Sequence, residues 1–150
     1  MDSIDRRIVS ALQADGRLSH HDLGEKVGLS PSPCARRIKR LEADGIITGY
    51  SARVDEGKLG YGFSVFVSVR LDKQVGEQLQ TFERAVRAFP EVVDCWLMTG
   101  SSDYLLRVAV AGLHEFEMFL TGHLNKVPGV ASLESSIPIR RVKGDAVRVG

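Results

Sequence analysis

The apolar periodicity of this chain changes character near residue 62, and that change constrains the fold more than any other feature. Before it, apolar residues recur with helical spacing in three short runs: Ile4, Ile8, Val9 and Leu12; Leu23 and Val27; and Cys34, Ile38 and Leu41. After it, FSVFVSVRL alternates strictly. Phe63, Val65, Val67, Val69 and Leu71 face one way, and Ser64, Phe66, Ser68 and Arg70 the other. Helical spacing then returns at Val75, Leu79, Phe82, Val86 and Phe89, ended by Pro90. VVDCWLM reads as a strand, TGSSD as a turn and YLLRVAV as a strand. Leu113, Phe116, Leu120, Leu124 and Val127 mark another helix, and a last strand runs roughly from Val130 to Arg141.

The second half therefore reads β-α-β, β-α-β. Phe89-Pro90-Glu91-Val92-Val93 and Val127-Pro128-Gly129-Val130-Ala131 are matching junctions. Two such units make one antiparallel sheet with both helices on one face, a ferredoxin-like βαββαβ fold. The other face lacks cover, so dimerisation through it is expected. The chain as a whole is α+β. Its expected organisation is a winged helix-turn-helix at 1–54, a glycine-rich hinge at 55–62, the ferredoxin-like domain at 63–143 and a tail at 144–150.

In the first half, Asp2 or Ser3 can cap the first helix and Gly16 end it; Ser19 and Asp22 have the form of a capping box. Gly28 stops the second helix and leads into SPSPCARRIKRLEADG. There Ser30 is placed to cap and Pro31 to occupy the first helical position. Two helices joined by a tight glycine turn form a helix-turn-helix. Ile46 and Ile47, Gly49 and the run Tyr50–Val54 predict a β-hairpin wing beside it.

The third helix is amphipathic in charge. At about 100° per residue, Cys34, Ile38 and Leu41 share one side, and Arg36, Lys39 and Arg40 the other, with Arg37 at the edge. Net charge over the chain is only +1, so the cluster on this helix is the informative feature. Arginine offers a bidentate fork to guanine and to phosphate. Ser30 and Ser32 sit where hydroxyls and free amides meet a phosphate. A charged face is ordinarily only solvated; the capped helix before it, the glycine turn and the expected wing favour double-stranded DNA as its partner.

No constellation of nucleophile and base, and no metal-ligand cluster, stands out. His20 and His21 point about 100° apart on a helix, and His114 and His123 about 180° apart. Cys34 and Cys95 sit in apolar settings and read as buried thiols. No apolar run reaches the ~20 residues of a membrane span, and MDSIDRR has no apolar signal core. The expectation is a cytoplasmic protein with no metal, cofactor or catalytic residue.

IDRRIVSALQADGRLSHHDLGEKVGLSPSPCARRIKRLEADGIITGYSARVD resembles the winged helix-turn-helix of the Lrp/AsnC family of bacterial and archaeal regulators, most closely in SPSPC-xRR-xxRLE-xxGII. The βαββαβ half resembles that family's ligand-binding domain, and the likeness spans about residues 2–143. It implies a homodimer, assembled further into tetramers or octamers, that binds DNA and responds to an amino acid. The DNA-contacting residues it implies are Ser30, Ser32, Pro33, Arg36, Arg37, Lys39 and Arg40.

Thr99 to Tyr104 is, by composition, a tight turn. Its amides at Gly100, Ser101 and Ser102 could hold a carboxylate, and Asp103 could pair with an ammonium. In the family the matching G-x-x-DYLL loop lines the effector site at an interface between dimers, which implicates Gly100, Ser101, Ser102, Asp103 and Tyr104. The family often adds two threonines from the last strand. Leu133 and Ser135 match them here, with Ser136 as a substitute hydroxyl. Trp96 and Met98 read as sheet core or subunit interface in preference to pocket lining. Two other readings are an architectural DNA-binding protein without a ligand and, in another class, a small ferredoxin-like dimeric enzyme.

Overall fold

Helix α1 (Ser3–Ala14) begins at a complete capping box: the Asp2 carboxylate accepts from the Asp5 N–H at 2.8 Å, and the Asp5 carboxylate from the Asp2 N–H at 3.0 Å. The computed structural model describes residues 1–144 and 146–150. Part of the expected tail, residue 145, lies outside the described residues. The chain forms two compact units, Met1–Arg53 with Val142–Gly150, and Val54–Arg141.

In the first unit, α1 is followed by α2 (His20–Val27) and α3 (Pro31–Ala43). The Ser19 hydroxyl accepts from the Asp22 N–H at 3.0 Å and donates to the Asp22 carboxylate at 2.7 Å. Gly28 ends α2 in the left-handed region at φ 78°. Gly24 matters as much to this turn. Its carbonyl accepts from the Leu29 N–H at 2.8 Å, and a Cβ on it would stand 2.4 Å from the Leu29 carbonyl oxygen. Only glycine allows α2 and the start of α3 to approach so closely. Ile8, Leu23, Val27, Cys34, Ile38 and Leu41 make the core of the three helices.

Two expectations are corrected here. Ser30 holds the capping position of α3, but its side chain makes no capping hydrogen bond. Pro33, at the third helical position where the other two caps find their donor, has no N–H to give. The β-hairpin wing is not formed, since residues 46–54 contain no strand. The N–H groups of Ile46 and Ile47 both turn back to the Leu41 carbonyl, at 2.9 and 3.1 Å, and so are taken by the end of α3. The Tyr50 hydroxyl donates to Glu42 at 2.8 Å. The tail is also less featureless than its sequence. Val147 exchanges two hydrogen bonds with the Gln13 side-chain amide, at 2.7 and 3.1 Å, and Arg6 donates to the Val149 carbonyl.

The second unit contains β1 (Phe63–Leu71), α4 (Gly76–Arg87), β2 (Val92–Leu97), β3 (Tyr104–Val110), α5 (Leu113–Gly122), a 3-10 turn at Leu124–Lys126 and β4 (Val130–Ser136). The strands form one antiparallel sheet in the order β2-β3-β1-β4, the split βαβ arrangement expected. Strand β4 stops at Ser136, short of the expected Arg141, where its pairing with β1 runs out. Val65, Val67, Val69, Leu106 and Val108 pack under Phe82, Val86, Phe116 and Phe119 of the helices.

Cross-strand partners share a face, so the register defines the uncovered side. Phe66 of β1, Leu105 and Arg107 of β3, and Asp94 and Trp96 of β2 lie on it. Trp96 is 60% exposed, so it is not sheet core. The segment expected as a hinge is folded into consecutive turns over 56–60. Its Glu56 takes a bidentate ion pair from Arg107 at 2.8 and 2.9 Å. That pair holds the Glu56 carboxyl below its usual range. Among the described residues, no helix is long and apolar enough to cross a membrane.

Candidate nucleic-acid interface and ligand loop

The cationic face of α3 divides into two pairs. Arg36 and Lys39 are exposed and have no ion-pair partner among the described residues. Ser32 is exposed beside them, while Pro33 is half-buried. Arg37 and Arg40, nominated with them from the sequence, turn toward α1 instead. One Arg37 nitrogen donates to Asp5 Oδ1 at 2.8 Å and to Asp2 Oδ2 at 2.7 Å; Arg40 donates to Asp5 Oδ2 at 2.7 Å.

Asp5 is 1% exposed. Burial pushes its carboxyl up, but the Asp2 N–H, the Arg37 guanidinium and the Arg40 charge outweigh burial and leave it below its ordinary 3.8. The Arg37 hydrogen bond, with the Asp5 N–H, lowers the Asp2 carboxyl to about 2. Two arginines and two aspartates thus form a closed cluster of zero net charge. Nothing in the spacing of α1 points to Asp2 and Asp5 as its anionic half.

The loop between β2 and β3 is organised by Asp103, which is buried. The Leu71 N–H donates to Asp103 Oδ2 at 2.7 Å, and the Gln74 amide donates to Oδ1. The Asp103 backbone adds a bond to the Val69 carbonyl and one from the Met98 N–H, both 2.8 Å. Asp103 therefore does not stand open to an ammonium: it is buried, and each of its oxygens already accepts a donor from within the chain. Gln74 was not visible as a participant, because a lone glutamine in a loop carries no pattern.

Gly100, at φ 102°, and Ser101 are exposed, and Ser102 is half-buried. Tyr104 points the other way, into the core. Its ring lies 4.5 Å from that of Phe82, and its hydroxyl donates to Glu83 at 2.8 Å. Burial, then the Glu83 bond, raises its ionisation above the usual tyrosine value. Ser135 is level with Val67 and Ser136 with Phe66, so the two hydroxyls belong to opposite faces. Only one of them can serve a given pocket. Leu133 shares the Ser135 side and packs on the core.

Among the described residues, the remaining titratable groups do not assemble a centre. His21, Asp22 and Glu25 lie near one another but are all exposed, and Asp22 already accepts from Ser19. Cys34 and Cys95 are free thiols, and burial, reinforced by Glu83 and Asp94, pushes Cys95 up to about 11.

Residues 1–42 match the AsnC-type helix-turn-helix domain, and residues 64–147 the Lrp/AsnC ligand binding domain. The Bkd operon transcriptional regulator of Pseudomonas aeruginosa is 48% identical over 142 residues, which is 95% of this chain and 93% of that protein. The leucine-responsive regulatory protein of Escherichia coli is 36% identical over 143 residues, 95% of this chain and 87% of that one. A transcriptional regulator of Neisseria meningitidis, solved in complex with L-Met, superposes with a TM-score of 0.91 at 35% identity, covering 96% of this chain and 93% of that one.

Proposed function

The chain belongs to the Lrp/AsnC family of DNA-binding transcription regulators and is not an enzyme, and we propose that it reads its operator with the outer face of α3 and answers to a free amino acid. The observation that carries the DNA half is the pair Arg36 and Lys39. They are exposed, and unpartnered among the described residues, on the side of α3 opposite the buried Cys34, Ile38 and Leu41. Arg36 is suited to a guanine edge or a phosphate, Lys39 to a phosphate. Ser30, Ser32 and Pro33 lie at the start of the same helix, where hydroxyls and free amides approach the backbone of the duplex.

The effector half rests on the loop at residues 100–102 and on the L-Met complex of the similar regulator. The ligand carboxylate is received by the exposed amides of Gly100 to Ser102. Its ammonium reaches Asp103 only if the Gln74 amide swings aside, exchanging a neutral donor for a charged one. Tyr104 supports the loop from inside. One strand hydroxyl, Ser135 or Ser136, completes the site according to which sheet face the ligand meets.

The assembly is a homodimer joined through the uncovered sheet face at Phe66, Leu105 and Trp96, with tetramers or octamers built from dimers. Two copies place two α3 helices on a two-fold operator. An effector shifts DNA binding only through unequal affinity for two states of that assembly.

Fluorescence anisotropy on the chain's own upstream DNA tests this reading. Arg36→Ala removing a base contact costs about 1–3 kcal/mol and relaxes specificity at one position. Titrating free amino acids, with size measured in parallel, must identify one that alters affinity or assembly. If none does, and affinity for scrambled DNA equals that for the upstream site, the chain is a ligand-independent architectural protein instead.

A further inference from the structure

Resting on α3 as the DNA-contacting helix, we propose that Asp5 is a positioning residue for DNA recognition: it withholds the charges of Arg37 and Arg40 from the duplex, so that α3 presents two free cations and not four. Asp5 lies on α1, facing the reading helix, and is 1% exposed. Each of its oxygens takes a guanidinium, at 2.8 and 2.7 Å, and its Oδ2 also accepts the Asp2 N–H at 3.0 Å. Asp2 balances the second positive charge through Arg37 at 2.7 Å.

An arginine that left this cluster for a phosphate would leave the buried Asp5 carboxylate with one guanidinium fewer and the cluster with an uncompensated negative charge. The two arginines thus stay paired with the α1 carboxylates when DNA arrives, and they also fix the rotation of α3 about its axis. Each cation that neutralises a phosphate adds sequence-independent affinity and about 0.9 to the salt slope. Four free cations on one short helix would bind any duplex. Confining two of them lets the contacts of Arg36 and Lys39 count for more of the total, and specificity rises as non-specific affinity falls.

The experiment is a salt series of DNA binding with the full chain, using the upstream site and a scrambled duplex. Lys39→Gln is the control for the reading helix and should make the log–log slope shallower by about 0.9. Asp5→Asn should steepen it by about that amount, because Arg40 is released while Asp2 still holds Arg37, and raise affinity for the scrambled duplex several-fold. Adding Arg40→Gln to Asp5→Asn should return the slope to that of the unmodified chain. Arg40→Gln alone should leave it unchanged, an arm that holds even if Asp5→Asn does not fold.

The proposal is overturned if Arg40→Gln alone makes the slope shallower by about 0.9, because Arg40 would then be a phosphate ligand. It is equally overturned if folded Asp5→Asn shows the original slope. A separate failure, with Arg36→Gln and Lys39→Gln both inert, removes α3 as the reader and takes the proposal with it.

Discussion

Asp5 in the helical unit and Asp103 in the sheet unit are the buried acids among the described residues, and their partners differ in kind. Asp5 is held by two guanidinium groups, whereas Asp103 is held by a backbone N–H and a glutamine amide. The first arrangement is a matched set of charges that gains nothing from a further cation. The second is a carboxylate satisfied by neutral donors, to which an ammonium remains the stronger partner. The first arrangement suits a rigid element, and the second a loop able to exchange partners.

The largest expected effect that tests this contrast is Asp5→Ala. It releases two guanidinium groups that reach water and an N–H of the cap, and should destabilise the first unit by about 3 kcal/mol. Denaturant unfolding followed separately in the two units should show the loss in the first alone. Asp103→Ala strands the Leu71 N–H in the core and should cost about 2 kcal/mol, in the second unit. Equal losses in both units from either variant would erase the distinction.

Acid should separate the units further. Asp2 at about 2 and Asp5 below 3.8 have folded values lower than unfolded ones. Their contribution is complete above about pH 4 and is lost as pH falls toward 2. Thermal melts of the first unit should therefore drop through that window, and Asp5→Asn should flatten the drop. Gln74→Ala is the smallest change, about 1 kcal/mol in stability. It should tighten amino-acid binding in calorimetry, since the amide no longer competes for Asp103. Weaker binding would make Gln74 a ligand in its own right.

How much was legible in the sequence depends on distance along the chain. The core positions Ile8, Leu23, Ile38 and Leu41, and the alternation of β1, were readable because each obeys the period of its own element. The failed wing was misread from β-propensity at Ile46 and Ile47, which the end of α3 overrode by taking both N–H groups. Arg36 and Arg37 are adjacent and identical in type. That one is free and the other tied to α1 depends on residues 32 and 35 positions away.

The sequence by itself determined the helices and the four sheet strands, their order, the buried faces and the family, because periodicity is local and SPSPCARRIKRLEADG is specific. Only the tertiary structure decided which polar groups are available to a ligand. Asp5 meets Arg37 and Arg40 through the rotation of α1 against α3, and Asp103 meets Gln74 through the close of a loop. No spacing rule encodes either meeting, since a hydrogen bond between elements depends on angles that the whole core sets at once.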